Sequence, residues 1–318
     1  MLGRVANTIY WMNRYLERAE NYARFMDVNF NLFLELPTNK AQQWKPLVAI
    51  TGDWPLYEEL HEDVEKDEVI YFMAFEAQNP NSIYNCIVNA RENARAIRPD
   101  ITKEVWEQIN SLYYLVKADC AKKRHDDKDL RQFFNNIKNG CQLLYGMYDA
   151  TISRNDGWNF GKLGQLVERA DKTSRVLDVK YHLLLGSVKQ VGSSLDLIQW
   201  AALLKSVSAY DMYRKKYGKL KSASIAEFLI LDTEFPRSIL NCLLRAEQCI
   251  IRLSGSSFGY SNSAQKKLGA LKSQLEYTDI NDIIEKGLHE YLDNIQLKLN
   301  DISTAIYDSF FSVEQHIN

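Results

Sequence analysis

Residues 16–28 read LERAENYARFMDV, and residues 167–179 read VERADKTSRVLDV. At an offset of 151, Glu17, Arg18, Ala19, Arg24, Asp27 and Val28 recur as Glu168, Arg169, Ala170, Arg175, Asp178 and Val179. A second match follows at an offset of 156, PNSIYNCIVNA (80–90) against PRSILNCLLRA (236–246). There Pro80, Ser82, Ile83, Asn85, Cys86 and Ala90 recur as Pro236, Ser238, Ile239, Asn241, Cys242 and Ala246. Trp44 and Trp200, and Phe72 and Phe228, share the second offset. Self-similarity at one long period marks a repeated unit. One such block is within reach of chance when every offset is scanned, but two in the same order at nearly the same offset are not. The pattern predicts a tandem duplication with copies at 1–152 and 153–318, each about 155 residues long.

Around these blocks the pattern is helical. Residues 3–36 carry one long amphipathic period ended by Pro37, and a second helical stretch runs from about 56 to 77. Asn79-Pro80 opens another helix, Pro99 stops it, and further helices cover 101–122 and the stretch up to about 151. The second half repeats the plan, with breaks near 186–195, 214–223 and 254–263, and closes on a helix of about 30 residues. Six Pro and fourteen Gly make up about 6% of the chain, roughly half the usual share. Sheets joined by tight turns consume both residues, and no Asn-Gly or Asp-Gly hairpin sits between alternating apolar runs. The fold class predicted is all-α, an internally duplicated helical bundle.

On a helical projection Glu17, Glu20, Arg24 and Asp27 fall within an arc of about 80°, with Arg18 on its flank. Glu168, Asp171, Arg175 and Asp178 draw the same stripe in the second copy, flanked by Arg169. Glu20–Arg24 and Asp171–Arg175 are i,i+4 pairs in the acid-first order, contributing about 0.2–0.5 kcal/mol each. Three roles suit such a stripe: a solvated face, a structural network with polar groups of other helices, or a ligand or catalytic site. Surface ion pairs contribute too little to fix residue identity, and the charges recur where most of the sequence has changed, so the structural network is favoured. Carboxylates at i and i+3 could also hold a metal, but no Glu-x-x-His accompanies them, so no metal is assigned. Arg91, Arg95 and Arg98 line one side of a helix, where they would grip an anion or simply be solvated. Asn85 and Asn241 follow Ser82 and Ser238 in early helical turns, where capping accounts for them.

The bulk properties exclude several functions. Lys plus Arg number 39 against 41 Asp plus Glu, a net charge of −2, which is no footprint for nucleic acid or an anionic membrane. Five cysteines without a C-x-x-C pair read as reduced, mostly buried thiols, and no signal-peptide core opens the chain. A cytoplasmic location is expected. No apolar run approaches the length of a membrane span. No Walker loop, dinucleotide fingerprint, nucleophile elbow or zinc-protease motif is present, so no cofactor is assigned.

The duplicated L/V-E-R-A-E/D-x-x-A/S-R helix, with GWNFGKLGQLVERAD in the second copy and NPNSI and FPRSI later in each half, resembles the Alpha-E family. Arg14 with Glu17-Arg18 matches that family's arginine-then-ER pattern, while Gln165 stands in the arginine's place in the second copy. The resemblance implies an all-helical domain in tandem duplication. Through the family's usual genomic company of ATP-grasp ligases, a transglutaminase-like protein and sometimes a proteasome-like peptidase, it implies a part in peptide synthesis or modification. The expectation is an accessory protein that binds such a ligase or its peptide. The alternative is an enzyme in its own right, with Glu17 and Glu168 in acid–base or metal-binding roles.

Overall fold

The computed structural model describes residues 1–35, 40–122, 126–183, 193–255 and 262–312, with only the backbone path followed at 31–35, 40–43 and 179–183. The chain is all-helical, and among the described residues there is no strand. In order the helices are α1 (Gly3–Glu35), α2 (Lys40–Thr51), α3 (Trp54–Leu60), α4 (Lys66–Ala74), α5 (Ile83–Ala96), α6 (Lys103–Cys120) and α7 (Asp127–Thr151). They continue as α8 (Asp156–Leu183), α9 (Ser194–Ser206), α10 (Tyr210–Tyr217), α11 (Ser222–Leu231), α12 (Ile239–Ser254), α13 (Ser263–Glu276), α14 (Ile280–Lys286) and α15 (Leu288–Phe310). Side-chain caps set many of the starts. Ser82, Thr102, Asp126, Ser193, Ser238 and Asn262 each accept from the backbone N–H three residues on, which satisfies a donor the helix leaves open.

α1 and α8 form the centre. Asp156 lies beside the Met1 amino group, Gly157 beside Ile9 and Gly164 beside Tyr10, and Glu168 meets Arg14 and Arg18. These contacts advance together along both helices, so the two run in the same direction. The glycines permit the approach: a Cβ on Gly164 would strike the Tyr10 carbonyl, and one on Gly161 would strike Asn13 and the Tyr148 hydroxyl. Around the pair, α5 and α7 pack on α1, while α12 and α15 pack on α8. α2 also reaches α8, and α9 reaches α1. Both central helices are therefore enclosed along 16–26 and 157–177, and Leu16, Ala19, Ala23 and Met26 are as buried as the polar residues between them. Trp44, Trp200, Phe72 and Phe228 all lie in the core. No helix among the described residues is long and apolar enough to cross a membrane.

Two expected helices are divided. The stretch 56–77 splits into α3 and α4, because the Tyr57 hydroxyl donates to the Asp63 carbonyl at 2.7 Å. A continuous helix would commit that carbonyl to the backbone four residues on. Tyr213 donates to the Lys219 carbonyl at 2.9 Å between α10 and α11 in the same manner. The closing helix breaks at Gly287, whose φ of 94° lies in the region that L side chains avoid. The expected stop at Pro37 and the breaks over 186–192 and 256–261 fall outside the described residues.

Candidate functional site

The repeated stripes lie inside the molecule, between α1 and α8. Glu17, Glu20 and Glu168 expose no surface, and Asp171 is 6% exposed. A buried carboxylate is tolerable only when paired and hydrogen-bonded, and here the pairing crosses from one central helix to the other. Arg169 donates through Nε and Nη2 to the two oxygens of Glu17, each at 2.8 Å. In return Arg18 donates through Nε to Glu168 Oε1 at 2.7 Å and through Nη2 to Oε2 at 3.1 Å. Each ER pair thus fills the other's fork, a bidentate geometry suited to guanidinium and carboxylate. The flank position of Arg18 and Arg169 aims them at the neighbouring helix.

Further groups complete each carboxylate. Around Glu17, Arg237 Nη1 donates to Oε1 at 3.1 Å, Asn21 to Oε1 at 3.1 Å and Gln165 to Oε2 at 3.3 Å. Arg237 Nη2 also donates to Glu20 Oε2 at 2.6 Å, and Arg24 donates to Glu20 Oε1. Around Glu168, Arg14 Nε donates to Oε2 at 2.8 Å and Lys172 Nζ lies 3.5 Å from Oε1. Lys172 and Arg175 both donate to Asp171 at 3.0 Å. At the ends of the stripes, Arg24 donates to the Ser208 hydroxyl, and a Cβ on Gly52 would lie 3.3 Å from Arg175 Nη1. Gly52 and Ser208 both hold a positive φ, 81° and 53°.

The electrostatics follow from this geometry. Burial pushes the Glu17 carboxyl up, but Arg169 and Arg237 outweigh it and hold it far below the usual carboxylate range. Glu168 is likewise held well down by Arg18, Lys172 and Arg14 against its burial. Glu20 and Asp171 are lowered for the same reason, by Arg237 and by Lys172 with Arg175 respectively. Arg18 and Arg169 are raised by their glutamates despite desolvation. These groups are fixed in their charged forms near neutral pH.

Other residues singled out from the sequence lie elsewhere. Asp27 pairs with Lys138 at 2.8 Å, and Asp178 with His289 Nδ1 at 2.6 Å, so neither joins the central network. Arg91 donates to Asn110 and Glu92, and its guanidinium stands 4.4 Å from the centre of the Tyr113 ring. Arg95 pairs with Glu92. Asn85 closes the turn before α5 by donating to the Ala77 and Asn79 carbonyls, and Asn241 donates to the Thr233 carbonyl before α12. Sequence reasoning missed Asn81, Lys172, Ser208 and Arg237. Asn81 accepts from Arg18 and donates to Asp53 Oδ1 at 2.8 Å. Asn81 and Arg237 stand at the same place in the PNSI and PRSI blocks, as a polar exchange between identical neighbours, and a search for identities passes over such a position. Among the described residues no three His, Cys, Asp or Glu side chains are grouped so as to hold a metal ion.

Uncharacterised proteins of Mycobacterium tuberculosis and Mycobacterium bovis are 21% identical to the chain over 327 aligned positions, covering 95% of it. The chain spans 36% of the length of these relatives. No solved structure matches it. The buried, reciprocal ER pairs give a structural reason for the motif that names a family described as a predicted alpha-helical domain with a conserved ER motif. That family matches residues 1–311, and the chain belongs to it: it is an Alpha-E protein.

Proposed function

We propose that this chain is an accessory helical protein of a peptide synthesis or modification system, acting with an ATP-grasp-type ligase and, in some systems, a transglutaminase-like protein. One observation carries the non-catalytic part: the carboxylates that a catalytic reading would use, Glu17 and Glu168, are enclosed and engaged by arginines of the other central helix. A carboxylate held ionised far below the working pH is a poor proton donor. The ligase partner rests on the usual genomic company of the Alpha-E family, to which the chain belongs. We also infer that 1–152 and 153–318 are copies of one unit. In support, α5 and α7 flank α1 as α12 and α15 flank α8, and α2 and α9 each cross to the opposite central helix.

Co-purification from the native host tests the role. A tagged chain is expected to carry an ATP-grasp-type ligase through washing, and the isolated chain to show neither calorimetric binding of Mg-ATP nor phosphate release. Micromolar Mg-ATP binding with turnover by the isolated chain overturns the accessory reading.

A further inference from the structure

A cleft of about 180 Å³ opens between the first turns of α8 and the last turns of α12. Its floor and walls come from Trp158, Lys162 and Leu166 on α8 and from Cys249 on α12, all but fully buried. Arg245, Gln248 and Arg252 stand at its rim, exposed. Arg245 and Arg252 are seven residues apart on one helical face, about 10.5 Å along the axis, and so bracket the opening. Neither makes an ion pair or hydrogen bond with any described residue. Lys162 does have partners, Asp149 at 3.0 Å and Gln165 at 3.1 Å, and Asp149 is shared with Arg154. The cleft thus gathers three cations against one shared carboxylate. Two buried polar atoms on its α8 wall also lack partners, Trp158 Nε1 and Asn159 Oδ1.

We propose that this cleft binds a small ligand carrying a carboxylate on an apolar body about the size of one amino-acid residue. The rim arginines supply a planar, bidentate match to a carboxylate. Trp158, Leu166 and Cys249 supply an apolar wall for the body, and the volume admits little more than one residue. A bare phosphate would leave that wall unused and would face donors on one side only. The electrostatics agree, since burial pushes the Lys162 amine down against the opposing pull of Asp149, and Arg169 and Arg245 depress it further, an imbalance that an incoming anion relieves. At the matching places in the first half stand Trp11, Asn89 and Ala96, so only the second half offers this cationic set. The ligand site stands apart from the accessory role and does not depend on it.

Calorimetric titration of the full chain with N-acetyl-leucine, N-acetyl-leucinamide and inorganic phosphate tests the site. The carboxylate is expected to bind at least about tenfold more tightly than the amide or phosphate, the ratio of one charge-assisted contact. Both arginines are exposed, so Arg245→Ala with Arg252→Ala should leave the melting temperature unchanged and weaken N-acetyl-leucine at least about tenfold. The proposal is overturned if N-acetyl-leucine fails to bind at millimolar concentration, if the amide or phosphate binds equally well, or if the double variant retains full affinity.

Discussion

Glu17 and Glu168 occupy matched positions, and the surroundings of the two differ in an instructive way. Each accepts a fork from the ER arginine of the opposite central helix. The remaining cations come from different places. At Glu17 the extra guanidinium is Arg237, reaching in from the turn before α12, where the first half has Asn81. At Glu168 the extra charges are Arg14, from the opposite helix, and Lys172, from its own, where the other site has Gln165 and Asn21. The ER forks that cross between α1 and α8 use the same residue types in both directions, because each ER pair must fit the other's fork. The cations that top up the charge vary, because any long side chain that arrives will serve. Identity is fixed by reciprocity, and charge balance leaves the source open.

The crossing pairs should therefore give the largest and most nearly equal effects. Removing one partner of a buried charged network strands the others, at a cost of about 3–5 kcal/mol. Glu17→Ala and Glu168→Ala are both expected to lose that much in urea denaturation at pH 7. Acid should act on the same groups. Their folded-state pKa values lie below the unfolded value of about 4.3, so the stability they contribute is present above that pH and is lost as the pH falls through the folded values. Glu17→Gln should flatten the acid limb between about pH 4.5 and 2.5 relative to wild type. Unchanged unfolding in both alanine variants would return the stripes to a mere solvated face, and loss in one alone would break the reciprocity.

Much of this was legible in the sequence, and the failures have physical causes. The apolar period of 3.6, the shortage of Gly and Pro, and the recurring ER blocks suffice for an all-helical chain and for choosing the stripe. The destination of the stripe was harder to read. A helical projection sorts Glu17, Glu20 and Arg24 onto a polar face and says nothing of what faces them, whereas here the polar face of α1 is as buried as its apolar one. Arg18 looked peripheral on its own helix and is central across two. Asp27 and Asp178 continue the stripe on paper, but they lie beyond the stretch where α1 and α8 exchange pairs and meet α7 and α15 instead. The breaks at 61–65 and Gly287 depend on a tyrosine tether and a positive φ, which periodicity does not register.

The cations that top up each site should cost less, and unequally. Arg237→Asn places the first half's residue in the second and leaves Glu17 its fork from Arg169. Glu20 then keeps only Arg24 and a 3.4 Å contact from Gln142. A hydrogen bond to a charged acceptor contributes about 1.5–3 kcal/mol, and with the asparagine amide taking over one of Arg237's two, the loss of the other predicts a cost of that size. Lys172→Asn is expected to cost less than that, because Glu168 retains both Arg14 and Arg18, and Asp171 retains Arg175. Parallel urea titrations of the two variants rank them. An Lys172 variant that loses more than the Arg237 variant would mean that the cation from the helix itself, not the one from the turn, is the tighter constraint.

The smallest effect should appear where the stripes end. Asp27 pairs with Lys138, and Asp178 with His289, so matched carboxylates meet a permanent cation in one half and a titratable one in the other. The bond to Asp178 raises the His289 pKa above its usual value of about 6.5, helped by Glu290 and Asp293 and opposed by partial burial. A histidine raised in this way contributes stability that is complete below about pH 6.5 and lost as the pH rises through its folded value. Both pairs are partly solvated, so each is worth at most about 1 kcal/mol. His289→Gln should therefore lower the melting temperature measurably at pH 6 and by a smaller margin at pH 8.5, while Lys138→Gln should lower it equally at both. A lysine variant that followed the histidine's pH dependence would place the titrating group elsewhere. A histidine variant with the same deficit at both values would mean that the neutral ring holds Asp178 as well as the charged one does, leaving the two ends of the molecule equivalent.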